Sequence, residues 1–187
     1  MVTTLVNNSS VIRLVIMKYH EYSKEIKEPE FLKAHEIANE IFEYMCLPEV
    51  SKQLSSTHQV NAKSHQIQDI ILPKCNELGM SSEKKGLFST YATSQLRPDY
   101  YIQLNKSGLI MEVERGKTTT NNMDLLDIWK CHICKEADYL LLVVPVIRQT
   151  NNGGKTKIFE HVVKRISSFF EPKNYVNVKG CFIIGYE

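Results

Sequence analysis

The residues of this sequence best suited to chemistry are three carboxylates, Asp99, Glu112 and Glu114. In the segment LIMEVE, residues 109–114, the alternation of a β-strand places both glutamates on one face, about 6.5–7 Å apart along the strand. The turn-forming segment NKSG joins this strand to DYYIQL, residues 99–104, so we predict a β-hairpin. Counting outward from the turn places Asp99 opposite Glu114, which gathers all three acids at one end of the hairpin.

Three neighbouring carboxylates repel one another, and the sequence leaves two ways to offset that repulsion. A divalent cation such as Mg²⁺ prefers hard oxygen ligands, here carboxylates completed by a backbone carbonyl and water, and Mg²⁺ held in this way usually meets a phosphate. The nearby basic residues Arg97, Arg115 and Lys117 would then contact phosphate groups. In the alternative interpretation, the same basic residues neutralise a solvated strand end and no metal is bound.

The elements that must position these acids are predicted from hydrophobic periodicity. Around the hairpin, the C-terminal half of the sequence favours a strand over 87–93, a helix over about 122–137, a strand over 139–147, a helix over 157–170 and a strand over 180–186. The near-continuous apolar run YLLLVVPVI at 139–147 predicts a strand buried on both faces. The order β-β-β-α-β-α-β predicts an α/β or α+β fold with a mixed central β-sheet flanked by helices.

Helix 122–137 is predicted to turn its apolar side chains toward the core. These side chains are Leu125, Leu126, Ile128, Trp129, Ile133 and Ala137. In the fold that this pattern predicts, the helix follows the strand that carries Glu112 and Glu114, and it serves either as core or as a contact surface.

The N-terminal part, residues 1–80, is predicted to be mostly helical. Residues 29–46 form an amphipathic helix that begins at Pro29, and residues 64–78 form a second helix in which Pro73 predicts a kink or an early end. Residues 47–63 are predicted to be irregular. With no repeat or long linker between its halves, the sequence predicts one domain spanning 1–187.

Composition narrows the class of protein without naming a function. Hydrophobic residues make up 43% and charged residues 24%, as in soluble globular proteins, and no apolar run approaches the roughly 20 residues of a membrane helix. Five cysteines and no recognisable secretory signal predict a reducing, cytoplasmic environment. A net charge of +2 permits a nucleic-acid partner but does not demand one.

Two cysteines have the spacing of zinc ligands. The segment CHIC contains Cys131 and Cys134, but the sequence lacks the second pair that a structural zinc site needs. We therefore predict that both are ordinary core or surface cysteines.

The pattern around the three acids resembles the PD-(D/E)xK nuclease superfamily. Pro98 and Asp99 precede Glu112 by the expected interval, and Glu112 lies on a hydrophobic strand followed by a polar loop, a helix and an apolar strand that contains a proline. The third position of the motif is usually lysine, and here it is Glu114, as in the BamHI-type restriction endonucleases. The resemblance covers residues 97–187, about half of the chain.

This resemblance implies a role for each matching residue. Asp99 and Glu112 are expected to bind the metal ions, and the backbone carbonyl of Val113 is expected to be a further ligand. Glu114 occupies the position of the general base or water-orienting group. Lys117, three residues beyond the usual lysine position, is a candidate substitute for that lysine.

The superfamily often adds an acid from a preceding helix. Glu77, at the edge of the apolar face of helix 64–78, is the best match for that acid, and Gln66 and Asp69 are alternatives. A solvated helix position is an equally good interpretation of all three.

The resemblance implies a Mg²⁺-dependent DNA endonuclease, with Mn²⁺ as a substitute metal, that acts on double-stranded DNA as a type II restriction enzyme. Residues 87–187 would then be the catalytic core, and cleavage of both strands implies a homodimer. A DNA-binding relative that has lost catalysis, and a junction-resolving or repair nuclease, are the alternatives.

Overall fold

The apolar segments of the chain build a mixed β-sheet between two helical layers. The computed structural model describes residues 5–6, 18–23, 27–60, 63–82, 97–115, 118–150 and 153–187. The strands in these ranges are β1 (Leu5–Val6), β2 (Lys18–Ser23), β3 (Ser81–Ser82), β4 (Tyr100–Gln103), β5 (Gly108–Val113), β6 (Tyr139–Pro145), β7 (Ile147–Gln149), β8 (Lys155–Lys157) and β9 (Gly180–Tyr186). The helices are α1 (Pro29–Cys46), α2 (Pro48–Thr57), α3 (Ser64–Glu77), α4 (Met123–Ile133) and α5 (Ile158–Ser167).

The sheet has seven strands in the order β1-β2-β9-β6-β5-β4-β3. Strands β5, β6 and β9 run parallel to one another. Strands β2 and β4 flank them in antiparallel pairs, and β1 and β3 in turn pair antiparallel with β2 and β4. Every residue of β6 is buried, as the apolar run predicted, because a central parallel strand is covered on both faces. The predicted mixed sheet flanked by helices is therefore confirmed, and β7 and β8 form a separate small hairpin.

Alternation along β5 divides the core into two halves. Leu109, Met111 and Val113 pack beneath α1, α2 and α3. Ile110 lies on the opposite face, in the half of the core covered by α4 and α5. Because side chains two residues apart share a face, Glu112 belongs with Ile110 on the α4 and α5 side.

The N-terminal helices largely follow their sequence signals. Helix α1 has the predicted bounds, and α3 begins at the predicted Ser64 and runs past Pro73 to Glu77. Gly79 then takes a left-handed conformation with φ of 75°, and the Met80 N–H bonds to the Cys75 carbonyl at 2.9 Å, which completes a Schellman cap. Of the two effects predicted for Pro73, the early end does not occur, and the kink stays a prediction.

The region 47–63 is not irregular as predicted, because it contains α2. Pro48 occupies the first helical turn, where its missing N–H costs nothing, and Val50 and Leu54 are buried one helical turn apart. Two apolar residues over ten positions are a weak periodic signal, and their packing against neighbouring helices decides the conformation.

The C-terminal elements follow the predicted order with shifted ends, except that the β7–β8 hairpin was not predicted and includes Ile147 of the predicted strand 139–147. Helix α4 ends at Ile133 rather than at residue 137, and α5 gives way to a short 3₁₀ turn over Ser168–Phe170. Strand β9 has the predicted bounds. The predicted strand at 87–93 lies outside the described residues. Across the ranges described above, no helix has both the length and the apolar character needed to cross a membrane.

The turn of the β4–β5 hairpin differs from the predicted one by its register. Gln103 pairs with Gly108, and the Leu104 N–H closes the turn on the Ser107 carbonyl at 2.8 Å. The buried Glu30 carboxylate of α1 accepts hydrogen bonds from the backbone N–H of Lys106 and, at 3.1 Å, from that of Ser107. A contact from a helix distant in the sequence therefore fixes the position of the turn, which the local sequence alone did not determine.

Candidate active site

The hairpin brings Asp99 and Glu112 into direct contact at its open end. The register pairs Tyr100 with Met111, so its continuation places Asp99 opposite Glu112. The Asp99 N–H approaches Glu112 Oε2 at 3.4 Å. The prediction that Asp99 lies opposite Glu114 was wrong by two residues, because the turn begins one residue earlier in the chain on each side than the count assumed. A shift of two preserves the face, so the acids still converge.

The backbone of Val113 also points to this open end. Its N–H donates to Asp99 Oδ2 at 2.7 Å, whereas the next residue, Glu114, donates its N–H to the Val143 carbonyl on the other side of β5. The N–H and C=O of a strand residue point to the same edge, so the Val113 carbonyl faces the Asp99 side. Pro98 lies there and has no N–H to donate to it.

Glu114 lies half-buried at the end of β5, with its backbone held on both sides. Its N–H bonds to β6, and its carbonyl accepts a hydrogen bond from the Tyr186 hydroxyl at 3.0 Å. Burial, followed by repulsion from Asp127 and Asp99, raises the pKa of Glu114 to about 8. A carboxyl group with a pKa near neutrality exchanges protons readily at physiological pH.

Helix α4 supplies a cation and an acid that sequence reasoning did not include in the site. Lys130 Nζ lies 3.0 Å from Glu112 Oε1 and 3.1 Å from Asp127 Oδ1. Burial opposes the charge of Lys130, but attraction to the two carboxylates outweighs it and raises the pKa of the ammonium group. Lys130 therefore stays protonated and joins strand β5 to helix α4 electrostatically.

The two carboxyl groups that flank Lys130 are strongly perturbed. Burial and repulsion from Asp127 raise the pKa of Glu112 well above its ordinary value, although Lys130 counteracts this rise. Burial raises the pKa of Asp127 to about 6 in spite of Lys130. One ammonium group thus offsets only part of the cost of placing two carboxylates in the interior.

Asp124 extends the cluster by one turn of α4. It is fully buried, and Arg165 Nε of α5 lies 3.4 Å from its Oδ2, close enough for an ion pair but without hydrogen-bond alignment. Arg165 also donates to the Thr119 carbonyl at 3.2 Å and to Asn122 Oδ1 at 2.6 Å. It therefore fixes the loop that leads into α4.

Asp124, Asp127 and Lys130 recur every three residues and so share one face of α4. The prediction instead turned Leu126 and Trp129 inward, and it was wrong: their exposed fractions are 45% and 48%. The sequence signal for this arrangement was the polar i, i+3, i+6 series itself, which places three charged side chains together on one face of the helix.

The remaining predicted residues have other surroundings. Glu77 is exposed and pairs with Lys74 at 2.8 Å, and Gln66 accepts a hydrogen bond from the Lys63 N–H at the start of α3. Asp69 is also exposed on α3. These contacts do not connect the three side chains to the acidic cluster. The position of Lys117 lies outside the described residues.

The two basic residues that flank the hairpin, Arg97 and Arg115, have different surroundings. Arg97 is exposed, whereas Arg115 is buried near His58 and Tyr186, whose pKa values respond to its charge. Among the basic residues that the structure describes near the hairpin, Lys130 is the one in an ion pair with Glu112.

The cysteines of the CHIC segment are core residues, as predicted. Cys131 and Cys134 are both buried, and the Cys131 thiol lies against the Ala137 carbonyl. In the ranges the structure describes, no three cysteine, histidine or acidic side chains already stand as a metal-ligand set. At the acidic cluster, the space between Glu112 and Asp127 is taken by the Lys130 ammonium group.

No protein-family model matches this chain, and no curated protein matches its sequence. The chemistry of the site is therefore inferred from its geometry. Five acidic side chains, Asp99, Glu112, Glu114, Asp124 and Asp127, lie near two basic ones, Lys130 and Arg165. Fully ionised, they would carry a formal charge of −3, so the cluster favours an added cation.

Proposed function

We propose that this protein is a Mg²⁺-dependent endonuclease that hydrolyses phosphodiester bonds in double-stranded DNA, acting as a type II restriction enzyme. The observation that carries the proposal is the contact between Asp99 and Glu112 at the open end of the hairpin, beside Glu114 with its raised pKa. Two acids that share a site with a third group poised to exchange a proton suit metal-assisted hydrolysis.

The chemistry of the donors fits Mg²⁺ or Mn²⁺. Asp99, Glu112 and the Val113 carbonyl offer only hard oxygen ligands, which these ions prefer and which suit zinc or copper less well. Glu112 is buried against other acids, so a cation there would relieve repulsion that Lys130 offsets only in part. When bound, the metal ion would acidify a water molecule and stabilise charge on the phosphate.

Glu114 is the group we assign to accept a proton from the attacking water. A pKa of about 8 makes the ionised Glu114 carboxylate a stronger base than an ordinary glutamate, and a bound cation would favour that ionised form near neutral pH. The hydrogen bonds from Tyr186 to its carbonyl and from its own N–H to Val143 hold its backbone in place. Asp99 orients the adjacent peptide by accepting the Val113 N–H.

Cleavage of both strands of a duplex requires two active sites, and we propose a homodimer for that reason. Helix α4 turns Leu126 and Trp129 outward on the side opposite its buried acids. Large exposed apolar side chains on the helix that carries part of the site support α4 as the subunit contact.

The test is a plasmid-cleavage assay with Mg²⁺. Asp99→Asn keeps an oxygen that accepts the Val113 N–H but removes the charge, so the fold should survive while cleavage falls by at least about 100-fold. Glu36→Gln, which alters an exposed ion pair with Lys33, is the matched control and should cleave like the wild type. Equal cleavage by Asp99→Asn would refute the proposed site.

A second candidate is a DNA-binding relative without catalysis. The observation that favours it is Lys130, which already pairs with both Glu112 and Asp127 and so occupies the space between them without a metal ion. Salt-sensitive DNA binding with no cleavage in Mg²⁺ or Mn²⁺ would support this candidate. If cleavage occurs, a fixed banding pattern indicates a restriction enzyme, and its absence indicates a junction-resolving or repair nuclease.

A further inference from the structure

The acidic cluster contains a carboxylate that lies outside the proposed pair of ligands, Asp127 of α4. We propose that Asp127 is a third carboxylate ligand of the divalent cation, and that the Lys130 ammonium group holds the cation position until a metal ion displaces it. The inference rests on the proposed function, whose metal site it extends by one ligand and by a competing cation.

The first observation is that one nitrogen atom already bridges the two elements. Lys130 Nζ lies 3.0 Å from Glu112 Oε1 on β5 and 3.1 Å from Asp127 Oδ1 on α4. The two oxygens therefore converge on a single point between strand and helix. A group of positive charge occupies that point, which shows that the surrounding potential accepts a cation there.

The second observation is an unsatisfied acceptor. The Asp127 side chain is 0% exposed, and its Oδ2 atom is buried with no hydrogen-bond partner. Its Oδ1 atom has Lys130 at ion-pair distance but no aligned hydrogen bond. A buried carboxylate oxygen without a partner is costly, and a metal ion satisfies such an oxygen directly.

The third observation is the electrostatic repulsion between Asp127 and the acids of the proposed site. Asp127 is the largest source of repulsion acting on both Glu112 and Glu114, and Asp99 in turn repels Asp127. Asp127 is therefore within electrostatic range of the three acids of the proposed site, and Lys130 links it directly to Glu112. Asp124 differs, because Arg165 of α5 already balances its charge.

Displacement of Lys130 is feasible because of its length and its location. Its ammonium group is carried on a flexible four-carbon stem, and the side chain is 16% exposed, so a path to solvent exists. A divalent cation brings two charges to the cluster in place of one. The ligand class is thus a hard divalent cation that competes with an internal amine.

The test measures Mn²⁺ binding to the full chain without DNA, by the loss of the free-ion electron paramagnetic resonance signal. Asp127→Asn should weaken Mn²⁺ affinity by at least about tenfold, because it removes one charged ligand. Asp138→Asn is the matched control, since Asp138 also pairs with a lysine, Lys179, at 3.3 Å but lies before β6. It should bind Mn²⁺ like the wild type. Wild-type affinity in Asp127→Asn would overturn the inference.

A second variant tests the competition. Lys130→Gln retains a hydrogen-bond donor but removes the charge, and it should bind Mn²⁺ about tenfold or more tightly than the wild type. Unchanged or weaker affinity in the folded variant would overturn the displacement. If the variant is unfolded without metal, circular dichroism should show refolding on addition of Mn²⁺, and no refolding would count against the inference.

The outcomes separate this inference from the proposed function. If Asp127→Asn weakens Mn²⁺ binding but the wild type leaves plasmid intact, the three-carboxylate site stands and the nuclease proposal fails. If Asp99→Asn abolishes binding while Asp127→Asn does not, the nuclease site stands and the role of Asp127 is refuted. A wild type that binds no Mn²⁺ contradicts both.

Discussion

Helices α4 and α5 cover the same face of the sheet, yet they bury opposite kinds of residue. Helix α5 buries Ile158, Phe159, Val162 and Ile166, as an amphipathic helix should. Helix α4 shares that apolar core through Ile128 and Cys131 but also buries Asp124 and Asp127, while it exposes Leu126 and Trp129.

The difference between α4 and α5 shows which helix of this fold buries residues that hydrophobic patterning would leave exposed. Both helices pack against β6 and share the apolar core that contains Leu140, Val144 and Ile183. Only α4 also reaches an acidic residue of β5, because its Lys130 pairs with Glu112 in the described part of the chain. Buried charge facing buried charge is expensive, and proteins retain it mainly at functional sites. The contrast between the two helices therefore singles out the β5–α4 contact as the candidate site.

The largest effect is expected from Lys130→Ala. Glu112 and Asp127 would be left as buried carboxylates without their counter-charge, which should cost about 3–5 kcal/mol of unfolding free energy in metal-free buffer. Urea denaturation measures the loss, and addition of Mg²⁺ should restore part of it. A loss below about 1 kcal/mol, on the scale of an exposed ion pair, would show that the lysine is not structurally important.

The matched substitution on α5 is Ile166→Ala. It leaves a cavity in an apolar core and should cost about 2–5 kcal/mol, because transfer and cavity terms add. Unlike the change at Lys130, this loss should be the same with and without Mg²⁺. A Mg²⁺-dependent loss at Ile166 would remove the distinction between the two helices.

The pH dependence of stability tests Glu114. Its folded pKa of about 8 lies above its ordinary value of 4.5, so between these values the folded protein holds a proton that the unfolded chain releases. The stability due to this group is therefore greatest below pH 4.5 and is lost as pH rises through about 8. In metal-free buffer, thermal denaturation should show the melting temperature falling from pH 6 to pH 9.

Glu114→Gln, which cannot ionise, provides the control for that measurement. Its melting temperature should fall less steeply over the same pH range than that of the wild type. Added Mg²⁺ should act in the opposite sense, raising the melting temperature more at pH 8 than at pH 6, because a cation favours the ionised carboxylates. Parallel pH profiles for wild type and Glu114→Gln would contradict the raised pKa.

The smallest effect is expected from Trp129→Ser. Although tryptophan is usually a core residue, Trp129 is about half exposed, so the unfolding free energy of dilute protein should change by no more than about 0.5 kcal/mol. A loss of several kcal/mol would mean that α4 buries its apolar side after all. Analytical ultracentrifugation of the same variant checks whether this surface joins two subunits.

Much of the fold could be predicted from local patterns, because in several elements the local sequence alone specifies the conformation and the face to be buried. Helix α1 has a proline start and an unbroken apolar stripe, and β6 and β9 are continuous apolar runs that only a sheet interior accommodates. Helix α2 escaped prediction because two buried residues in ten positions give too weak a period. The burial of Asp124 and Asp127 in α4, in place of Leu126 and Trp129, was not predicted because only the apolar residues of the helix were used to assign its buried face.

The sequence by itself determined that Asp99, Glu112 and Glu114 would converge, since strand alternation and a hairpin require it. The tertiary structure decided the rest. Glu30, from a helix more than 70 residues away in the chain, fixes the turn and so sets Asp99 against Glu112 rather than Glu114. Lys130 meets Glu112 because the fold places α4 on the face of the sheet to which the Glu112 side chain belongs, and sequence separation does not reveal such a contact.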